Sequence, residues 1–252
     1  MRLDGYEVLE LLRRGRDLDV YAVWSERRGC PCVAKVLRPD GPDPERARPR
    51  LLREGELAAR FTHPHIVRAY EVLAAPEPAV ILETITGSTL AALTRDRRLP
   101  WPDAAELGLH LCSAIHYLHG EGWLHADLKP SNVIAEAGRG KVIDLSLARA
   151  PGRCRGRLGT RGYASPEQAS GGELTAAVDV WGIGATLFAV LAGRPPVDRG
   201  ESWEPAAPPV RIGTVRRLPR TLSAPIDACL EPRPHDRPTV GALADALESA
   251  LA

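Results

Sequence analysis

The stretch from His125 to Asn132 constrains this chain more than any other part of it. It reads His-Ala-Asp-Leu-Lys-Pro-Ser-Asn, which places a carboxylate, an amine and a carboxamide close together, at Asp127, Lys129 and Asn132. An apolar Val133-Ile134 follows, as at the start of a β-strand. Taken alone, such a loop usually carries a solvated ion pair, so the segments around it decide how it is interpreted.

A second acidic residue, Asp144, ends the next apolar segment. Lys141-Val142-Ile143 leads into it after a glycine-containing turn. Two short strands joined by a turn would bring Asp144 beside Asn132. Carboxylate and amide oxygens suit Mg²⁺, which usually shares its ligands with substrate phosphates. The spacing therefore predicts a magnesium site that is used together with a phosphate-bearing substrate.

Composition excludes several classes of protein. The 252 residues are 44% apolar and 26% charged with a formal net charge of +1, as in ordinary globular proteins, and the arginines are interleaved with acidic residues. Five irregularly spaced cysteines favour a reducing compartment, and the N-terminus lacks an apolar signal segment. The longest apolar run, Val178 to Ala192, is too short to span a bilayer. We expect a cytoplasmic location, no nucleic-acid partner and no membrane segment in this chain.

The two acidic segments resemble those of the eukaryotic-like, bacterial-type serine/threonine protein kinases, whose catalytic loop reads H-R-D-L-x-x-x-N and whose metal motif reads D-F-G. Ala126 stands at the Arg position, and Leu145-Ser146 stand at the Phe-Gly positions. The resemblance extends from about Tyr6 to Leu251. It implies one α+β domain over residues 1–252 with the two-lobed kinase fold: a small N-lobe (1–85) with a five-stranded sheet and one main helix, then a hinge and a larger, mainly helical C-lobe (86–252).

The resemblance also implies how the N-lobe would bind ATP. The strand Cys32-Val33-Ala34-Lys35-Val36 is similar to the V-A-x-K strand, whose lysine pairs with ATP phosphates and with a glutamate. Glu54 lies nineteen residues later, on the apolar stripe of a helix predicted from Glu45 to Phe61. The remaining contacts implied for the nucleotide are apolar walls from Leu12, Val20 and Ala34, Leu82 behind the adenine, and backbone bonds from Glu83 and Ile85.

The nucleotide loop departs from the family pattern. Aligning G-x-G-x-x-G-x-V on Val20 places Arg13, Gly15 and Leu18 at the three glycine positions, so only the central glycine remains. Because glycines let backbone N–H groups approach phosphate oxygens, these substitutions would either loosen or reshape the loop or, if the side chains point outward from the hairpin tip, leave one glycine sufficient.

By resemblance, Asp127 would orient the substrate hydroxyl and accept its proton, while Lys129 would offset charge on the transferred phosphoryl group. Asn132 and Asp144 would hold Mg²⁺. Thr160 matches the threonine that contacts the catalytic aspartate in serine/threonine kinases. The implied structural contacts are an anchor from Asp179 to the catalytic-loop backbone, a buried pair between Arg237 and Glu167, and a helix cap at Thr239.

The segment after Asp144 suggests how activity is controlled. No Ser, Thr or Tyr occurs from Leu147 through Gly159, and Ala126 replaces the arginine that would hold a phosphate there. We therefore expect activity without phosphorylation of this segment. Four arginines in it, Arg149, Arg153, Arg155 and Arg157, either face solvent or bind an acidic partner.

Three functions remain open at this point. The main expectation is a serine/threonine protein kinase that uses ATP and Mg²⁺ and acts on a protein substrate. The altered nucleotide loop, Ala126 and Ser146 are the arguments for a pseudokinase that serves as a binding scaffold. A small-molecule phosphotransferase of related fold is the third alternative. Residues 198–220 lack a helical period, so the family's docking helix would be short or missing, and the Ala- and Arg-rich composition favours a bacterial source.

Overall fold

The computed structural model describes residues 3–197, 203 and 208–252. These residues group into two compact units. The first contains the residues up to Thr86 together with Asp144–Ser146, and the second contains Gly87–Ile143 and the residues from Leu147 onward. The boundary predicted from the sequence lies between residues 85 and 86, and that prediction assigned Asp144–Ser146 to the C-terminal part.

The first unit is built on a five-stranded antiparallel sheet. Short runs of alternating apolar residues form its strands, and turn residues separate them. The strands, in the spatial order β1-β2-β3-β5-β4, are Tyr6–Arg14 (β1), Leu18–Ser25 (β2), Cys30–Leu37 (β3), Ala69–Leu73 (β4) and Ala79–Glu83 (β5).

Strand β3 has one buried face. Cys32, Ala34 and Val36 are at most 3% exposed, whereas Val33 and Lys35 between them are partly exposed. Successive side chains in a strand point to opposite faces of the sheet. The buried set packs into one apolar cluster with Leu3, Tyr6, Val23, Ala79 and Ile81.

Helix α1 spans Pro44–Arg60, so the helix predicted from Glu45 to Phe61 is confirmed to within one residue at each end. The Asp43 side chain caps it by accepting the Arg46 N–H at 3.2 Å, and a proline at the first helical position fits the helix start. Glu54 is buried on the same helix as the apolar Leu51, Leu57 and Ala58.

The described part of the second unit contains six α-helices and two small sheets. The helices are Leu90–Leu93 (α2), Trp101–Gly120 (α3), Pro166–Ser170 (α4), Ala177–Ala192 (α5), Arg220–Cys229 (α6) and Val240–Leu251 (α7). The strands are Ser88–Thr89 (β6), Val133–Glu136 (β7) and Arg139–Val142 (β8) in one sheet, and Gly152–Arg153 (β9) and Glu173–Leu174 (β10) in the other.

Helix α5 lies at the centre of the second unit, with every residue from Val178 to Ala192 buried. Its Gly182 permits Leu128, in the segment between α3 and β7, to pack against it, since a Cβ at this glycine would lie 2.9 Å from the Leu128 Cβ. Among the described residues, no helix combines the length and apolar character that crossing a membrane requires.

Helix α6 is absent from the sequence prediction. Pro225 lies inside it, and a proline within a short helix weakens any helical pattern. The predicted irregular stretch 198–220 lies partly outside the described residues, at 198–202 and 204–207. Within the described part, a single 3₁₀ turn at Ile212–Thr214 precedes α6.

The predicted pair between Arg237 and Glu167 is present and buried. The Arg237 guanidinium donates to the two carboxylate oxygens of Glu167 at 2.6 and 2.9 Å, and the Arg237 side chain is 0% exposed. It also donates to the backbone carbonyls of Ala177, Glu231 and Pro232.

We predict that Arg237→Ala lowers the free energy of unfolding by about 3–5 kcal/mol, because Glu167 would stay buried without its cation. Urea denaturation followed by circular dichroism measures this loss. Arg211→Ala is the matched control, since Arg211 pairs with Glu231 at 2.8 Å but its side chain is 57% exposed. That exposed pair is worth at most about 1 kcal/mol. Equal losses in the two variants would contradict the prediction.

Candidate active site

Three polar side chains of the second unit are hydrogen-bonded to one another. Asp127 and Lys129 come from the loop between α3 and β7, and Thr160 comes from the segment between β9 and α4. The Thr160 hydroxyl donates to Asp127 Oδ1 at 2.7 Å, and Lys129 Nζ donates to Asp127 Oδ2 at 2.6 Å. Lys129 also donates to Thr160 Oγ1 at 2.6 Å. The predicted contact between Thr160 and Asp127 is therefore present. One carboxylate, one ammonium and one hydroxyl close a hydrogen-bonded ring, which we call the Asp127 ring.

Asn132 supports this ring from the end of the same loop. Its Nδ2 donates to the backbone carbonyl of Asp127 at 2.9 Å and to Asp127 Oδ2 at 3.2 Å. Because both bonds use the amide nitrogen, the carboxamide oxygen Oδ1 is the Asn132 atom suited to a metal ligand. Ser131 Oγ lies 3.5 Å from it.

The backbone before Asp127 has an unfavourable conformation. Ala126 has φ 61°, in the left-handed region that L-residues other than glycine seldom adopt. The predicted anchor Asp179 accepts the N–H groups of His125 and Ala126, each at 2.8 Å. His119 Nε2 lies 2.8 Å from the same carboxylate. These bonds hold the loop in the conformation that presents Asp127.

Gln168, which was not predicted, holds the other side of this backbone. Its Nε2 donates to the Ala126 carbonyl at 2.7 Å, and its Oε1 accepts the Ser165 N–H at 3.0 Å. The side chain is buried, with 3% of the residue exposed. The spacing Ser165 to Gln168 is that of a capping box, which signals the start of α4 but not a contact with a loop 42 residues earlier.

In the first unit, Lys35 and Glu54 form the predicted ion pair, with 2.5 Å between Nζ and Oε1. Their side chains are 15% and 5% exposed. Burial lowers the pKa of Lys35, but the carboxylates of Glu54 and Asp144 raise it by more, so the net shift is upward. Lys35 is therefore held as an ammonium ion in a largely buried position.

A cavity of about 470 Å³ lies beside this pair, within the first unit. Cationic and acidic side chains both line it, a mixture that suits a ligand made of phosphates and a divalent cation. The cations are Arg13, Arg16, Lys35, Arg46 and Arg50, and the acidic residues are Asp17, Asp43, Glu54 and Asp144.

The hairpin between β1 and β2 forms one wall of this cavity. Its central glycine is required by packing, since a Cβ on Gly15 would overlap the Leu18 carbonyl. The Gly15 N–H donates to the buried Asp19 at 3.2 Å, and Arg38 donates to the Gly15 carbonyl at 2.8 Å. Neither Asp19 nor Arg38 was predicted to act here. The two residues fix the turn at 15–17, which is flanked by the strands that carry Arg13 and Leu18, the two residues at the other glycine positions of the motif.

The prediction that Ala34 forms a wall of the adenine site is wrong. Ala34 is 0% exposed and belongs to the apolar cluster with Tyr6, so a ligand cannot reach it. Because strand residues alternate between faces, Ala34 points away from the face of Lys35, whereas Val33, two residues before Lys35, shares that face. The strand alternation in the sequence already contained this information.

The other predicted wall residues fit the Lys35 face better. Val20 pairs directly with Lys35, and Leu82 pairs with Val33, so both share its face of the sheet. Leu12 lies in β1 and is 51% exposed. Glu83 ends β5 and donates its N–H to the Arg68 carbonyl at 3.0 Å, so a contact to adenine from Glu83 would use its carbonyl oxygen. Ile85 follows in the segment after β5 and is half-buried.

The two predicted metal ligands belong to different units, so their mutual placement stays a prediction. Asp144 Oδ1 accepts the Ser146 N–H at 2.9 Å. Within the described ranges, no group of three or more His, Cys, Asp or Glu side chains could hold a metal ion. The oxygen donors Asn132 and Asp144 fit Mg²⁺, which typically takes one or two protein ligands together with substrate phosphates and water.

Comparison with known proteins agrees with this geometry. The family described as "Protein kinase domain" matches residues 6–249. The chain therefore belongs to the protein kinase family.

Three curated relatives illustrate the similarity. The chain is 33% identical over 206 residues to serine/threonine-protein kinase PknB of Mycobacterium leprae (77% of this chain, 33% of PknB). It is 36% identical over 214 residues to serine/threonine-protein kinase PkaA of Streptomyces coelicolor (79% of this chain, 39% of PkaA). It is 35% identical over 263 residues to CBL-interacting protein kinase 4 of Oryza sativa subsp. japonica (96% and 57%). The chain thus spans 33–57% of the length of these relatives.

Solved structures give the same fold. A double mutant of the PknI kinase domain of Mycobacterium tuberculosis aligns with a TM-score of 0.81 at 25% identity, covering 100% of this chain and 98% of that chain. The predicted protein kinase fold, with a β-sheet N-lobe and a helical C-lobe, is confirmed. The Mycobacterium and Streptomyces relatives also agree with the expected bacterial source.

We predict that Gln168→Met lowers the free energy of unfolding by about 1–3 kcal/mol, because the Ala126 carbonyl and the Ser165 N–H would both lose a buried partner. Chemical denaturation measures this change. Ser165→Ala is the control, since it removes a hydroxyl but leaves the bond between Gln168 and Ala126 in place. A Gln168→Met variant as stable as the unaltered protein would show that the bond to Ala126 is not needed.

Proposed function

We propose that this chain is the catalytic domain of a serine/threonine protein kinase, which transfers the γ-phosphoryl group of ATP to a hydroxyl of a protein serine or threonine. The observation that carries the proposal is the Asp127 ring. Thr160 and Lys129 each bond a different oxygen of Asp127. The serine/threonine protein kinase names of the PknB and PkaA relatives support the same activity.

The ring supplies the groups that phosphoryl transfer to a hydroxyl needs. Asp127 would orient the attacking hydroxyl and accept its proton, and its carboxylate is already held by three donors, Thr160, Lys129 and Asn132. Lys129 would place positive charge near the transferred phosphoryl group. Since most catalysis of this reaction is positioning and electrostatic stabilisation, the short contacts within the ring favour it.

The first unit would bind the nucleotide. Lys35, fixed by Glu54, would contact its phosphates. Leu12, Val20 and Leu82 would provide apolar surface for adenine, with Val33 replacing Ala34 in that role. Gly15 would contribute backbone, and Glu83 and Ile85 would bond the adenine edge through their backbone atoms.

Asn132 and Asp144 would hold Mg²⁺ through their side-chain oxygens. When bound, the ion would neutralise charge on the ATP phosphates. The fit rests on the chemistry of these donors: the Asn132 amide nitrogen is committed to Asp127, which directs the amide oxygen to other partners.

Partners and location follow from the same proposal. The substrate would be a protein that presents Ser or Thr. An acidic partner at Arg149, Arg153, Arg155 and Arg157 stays a prediction. A cytoplasmic location is supported by the five cysteines, all of which are free thiols.

We expect Asp127→Asn to lower phosphoryl transfer at least about 100-fold, because the amide cannot accept the hydroxyl proton. Transfer of labelled γ-phosphate from ATP and Mg²⁺ to a general protein substrate measures the effect. Binding of a fluorescent ATP analogue should be unchanged. Asp245→Asn, on the exposed surface of α7, is the matched control. Nucleotide binding without transfer in the unaltered protein would support the scaffold alternative and contradict the proposal.

We further propose that activity does not require phosphorylation of the segment after Asp144. Backbone bonds order this segment: the Cys154 N–H donates to the Gly172 carbonyl at 3.0 Å, and the Leu158 N–H donates to the Gln168 carbonyl at 3.1 Å. Strands β9 and β10 pair there as well. These contacts support a segment held without a phosphate.

A mass map of the active protein should therefore show no stoichiometric phosphate between residues 147 and 165, and phosphatase treatment should leave its specific activity unchanged. The sample before treatment is the control. Loss of activity together with loss of phosphate from this segment would disprove independence from phosphorylation.

A further inference from the structure

The serine that replaces the last glycine of the metal motif makes a specific contact. Arg50 Nη2 donates to the Ser146 hydroxyl at 3.1 Å. The two residues are 96 positions apart in the sequence but belong to the same unit. Glycine at position 146 could not accept this bond, so the departure from the family pattern adds an interaction.

Ser146 is in turn bonded to the predicted metal ligand. Its N–H donates to Asp144 Oδ1 at 2.9 Å. A short chain of contacts therefore runs from the Arg50 guanidinium through Ser146 to the Asp144 carboxylate. We call this chain the Arg50 brace.

Arg50, at one end of the brace, lies on α1, the helix whose Glu54 also bonds Lys35 of β3. Arg50 lies four residues before Glu54 in α1, so the two side chains belong to neighbouring turns of one helix face. Glu54 bonds Lys35, and Arg50 bonds Ser146. Helix α1 thus fixes both a phosphate-binding lysine and the segment that carries Asp144.

The backbone at Ser146 does not require glycine. Among the described residues, the only non-glycine positions with positive φ are Ala126 and Ala137. A serine side chain is therefore accommodated at position 146 without the strain that a left-handed conformation would impose. Its hydroxyl is available as the acceptor for Arg50.

We propose that Arg50 and Ser146 are positioning residues that orient Asp144 toward a divalent cation bound together with the nucleotide. This inference rests on the proposed kinase function. Mg²⁺ tolerates little deviation from octahedral geometry, so a ligand whose carboxylate is oriented in advance binds it better. Outer contacts of this kind typically change metal affinity by about 10–100-fold. The competing explanation is that the buried Leu145, 1% exposed, holds the segment by itself.

A double-mutant cycle on the whole chain separates these explanations. The variants are Arg50→Met, Ser146→Ala and the combination, and the probe is a fluorescent ATP analogue titrated with MgCl₂. We expect each single variant to raise the Mg²⁺ concentration for half-maximal binding by about tenfold, the lower end of that range because the bond is exposed. The combination should add little to either single change.

Two further variants control for charge and for the hydroxyl. Arg46→Met removes the same charge from the same cavity, so its effect should add to that of Ser146→Ala instead of overlapping with it. Ser146→Thr keeps the hydroxyl and should retain the Mg²⁺ dependence of the unaltered protein, whereas Ser146→Gly should behave like Ser146→Ala. Analogue binding without metal should change little between Ser146→Ala and the unaltered protein.

The outcomes distinguish the brace from the proposed function. Independent, additive effects of Arg50→Met and Ser146→Ala, or no effect of either, would overturn the brace even if phosphoryl transfer is normal. If Arg50→Met and Ser146→Ala are coupled but the protein transfers no phosphate, the brace is supported and the kinase proposal is contradicted. Absence of any metal-dependent nucleotide binding in the unaltered protein would overturn both.

Discussion

The site in the second unit depends on the hydrogen bonds made by the Asp179 carboxylate. Asp179 is 1% exposed, and its carboxylate contacts the N–H groups of His125 and Ala126 and the ring of His119. A buried charge is tolerated only when hydrogen bonds replace its hydration. Here those bonds come from a backbone that would otherwise avoid the left-handed conformation of Ala126. The cost of burying one charge and the strain at one residue are offset by the same contacts, and the result is a fixed position for Asp127.

The other buried charges follow the same rule. Glu54 is bonded to Lys35, Arg237 to Glu167, and Asp19 to the Gly15 N–H. Each contact joins segments that are distant in sequence or, at Asp19, closes a turn. The apolar core gives the units their stability, while these few charged contacts decide which loop conformation is adopted. Loops selected in this way carry the groups proposed to act in phosphoryl transfer.

Much of this could be predicted from the sequence because motif residues lie close together along the chain. Asp127, Lys129 and Asn132 share one loop. An acidic residue on an apolar helix stripe indicates that Glu54 needs a cation, and the resemblance to the kinase family identified Lys35 as that cation. Ala34 was misassigned although alternation along β3 would have placed it on the opposite face. Arg237 and Glu167 are 70 residues apart, but a motif match identified them. The contacts of Gln168 and Ser146, with partners 42 and 96 residues away, were not predicted because no family motif pairs these residues. Only the folded chain brings these residues together.

The turn at Gly15 has a consequence for ligand affinity. Its N–H and carbonyl are both bonded within the protein, to Asp19 and Arg38. A loop that is already ordered loses little conformational entropy when a ligand arrives, which favours binding. In exchange, a phosphate that approaches this amide must compete with a carboxylate for the same hydrogen. With Arg13 and Leu18 at two glycine positions of the motif and a bond from Gly15 to Asp19, the loop is therefore less adaptable but more preorganised.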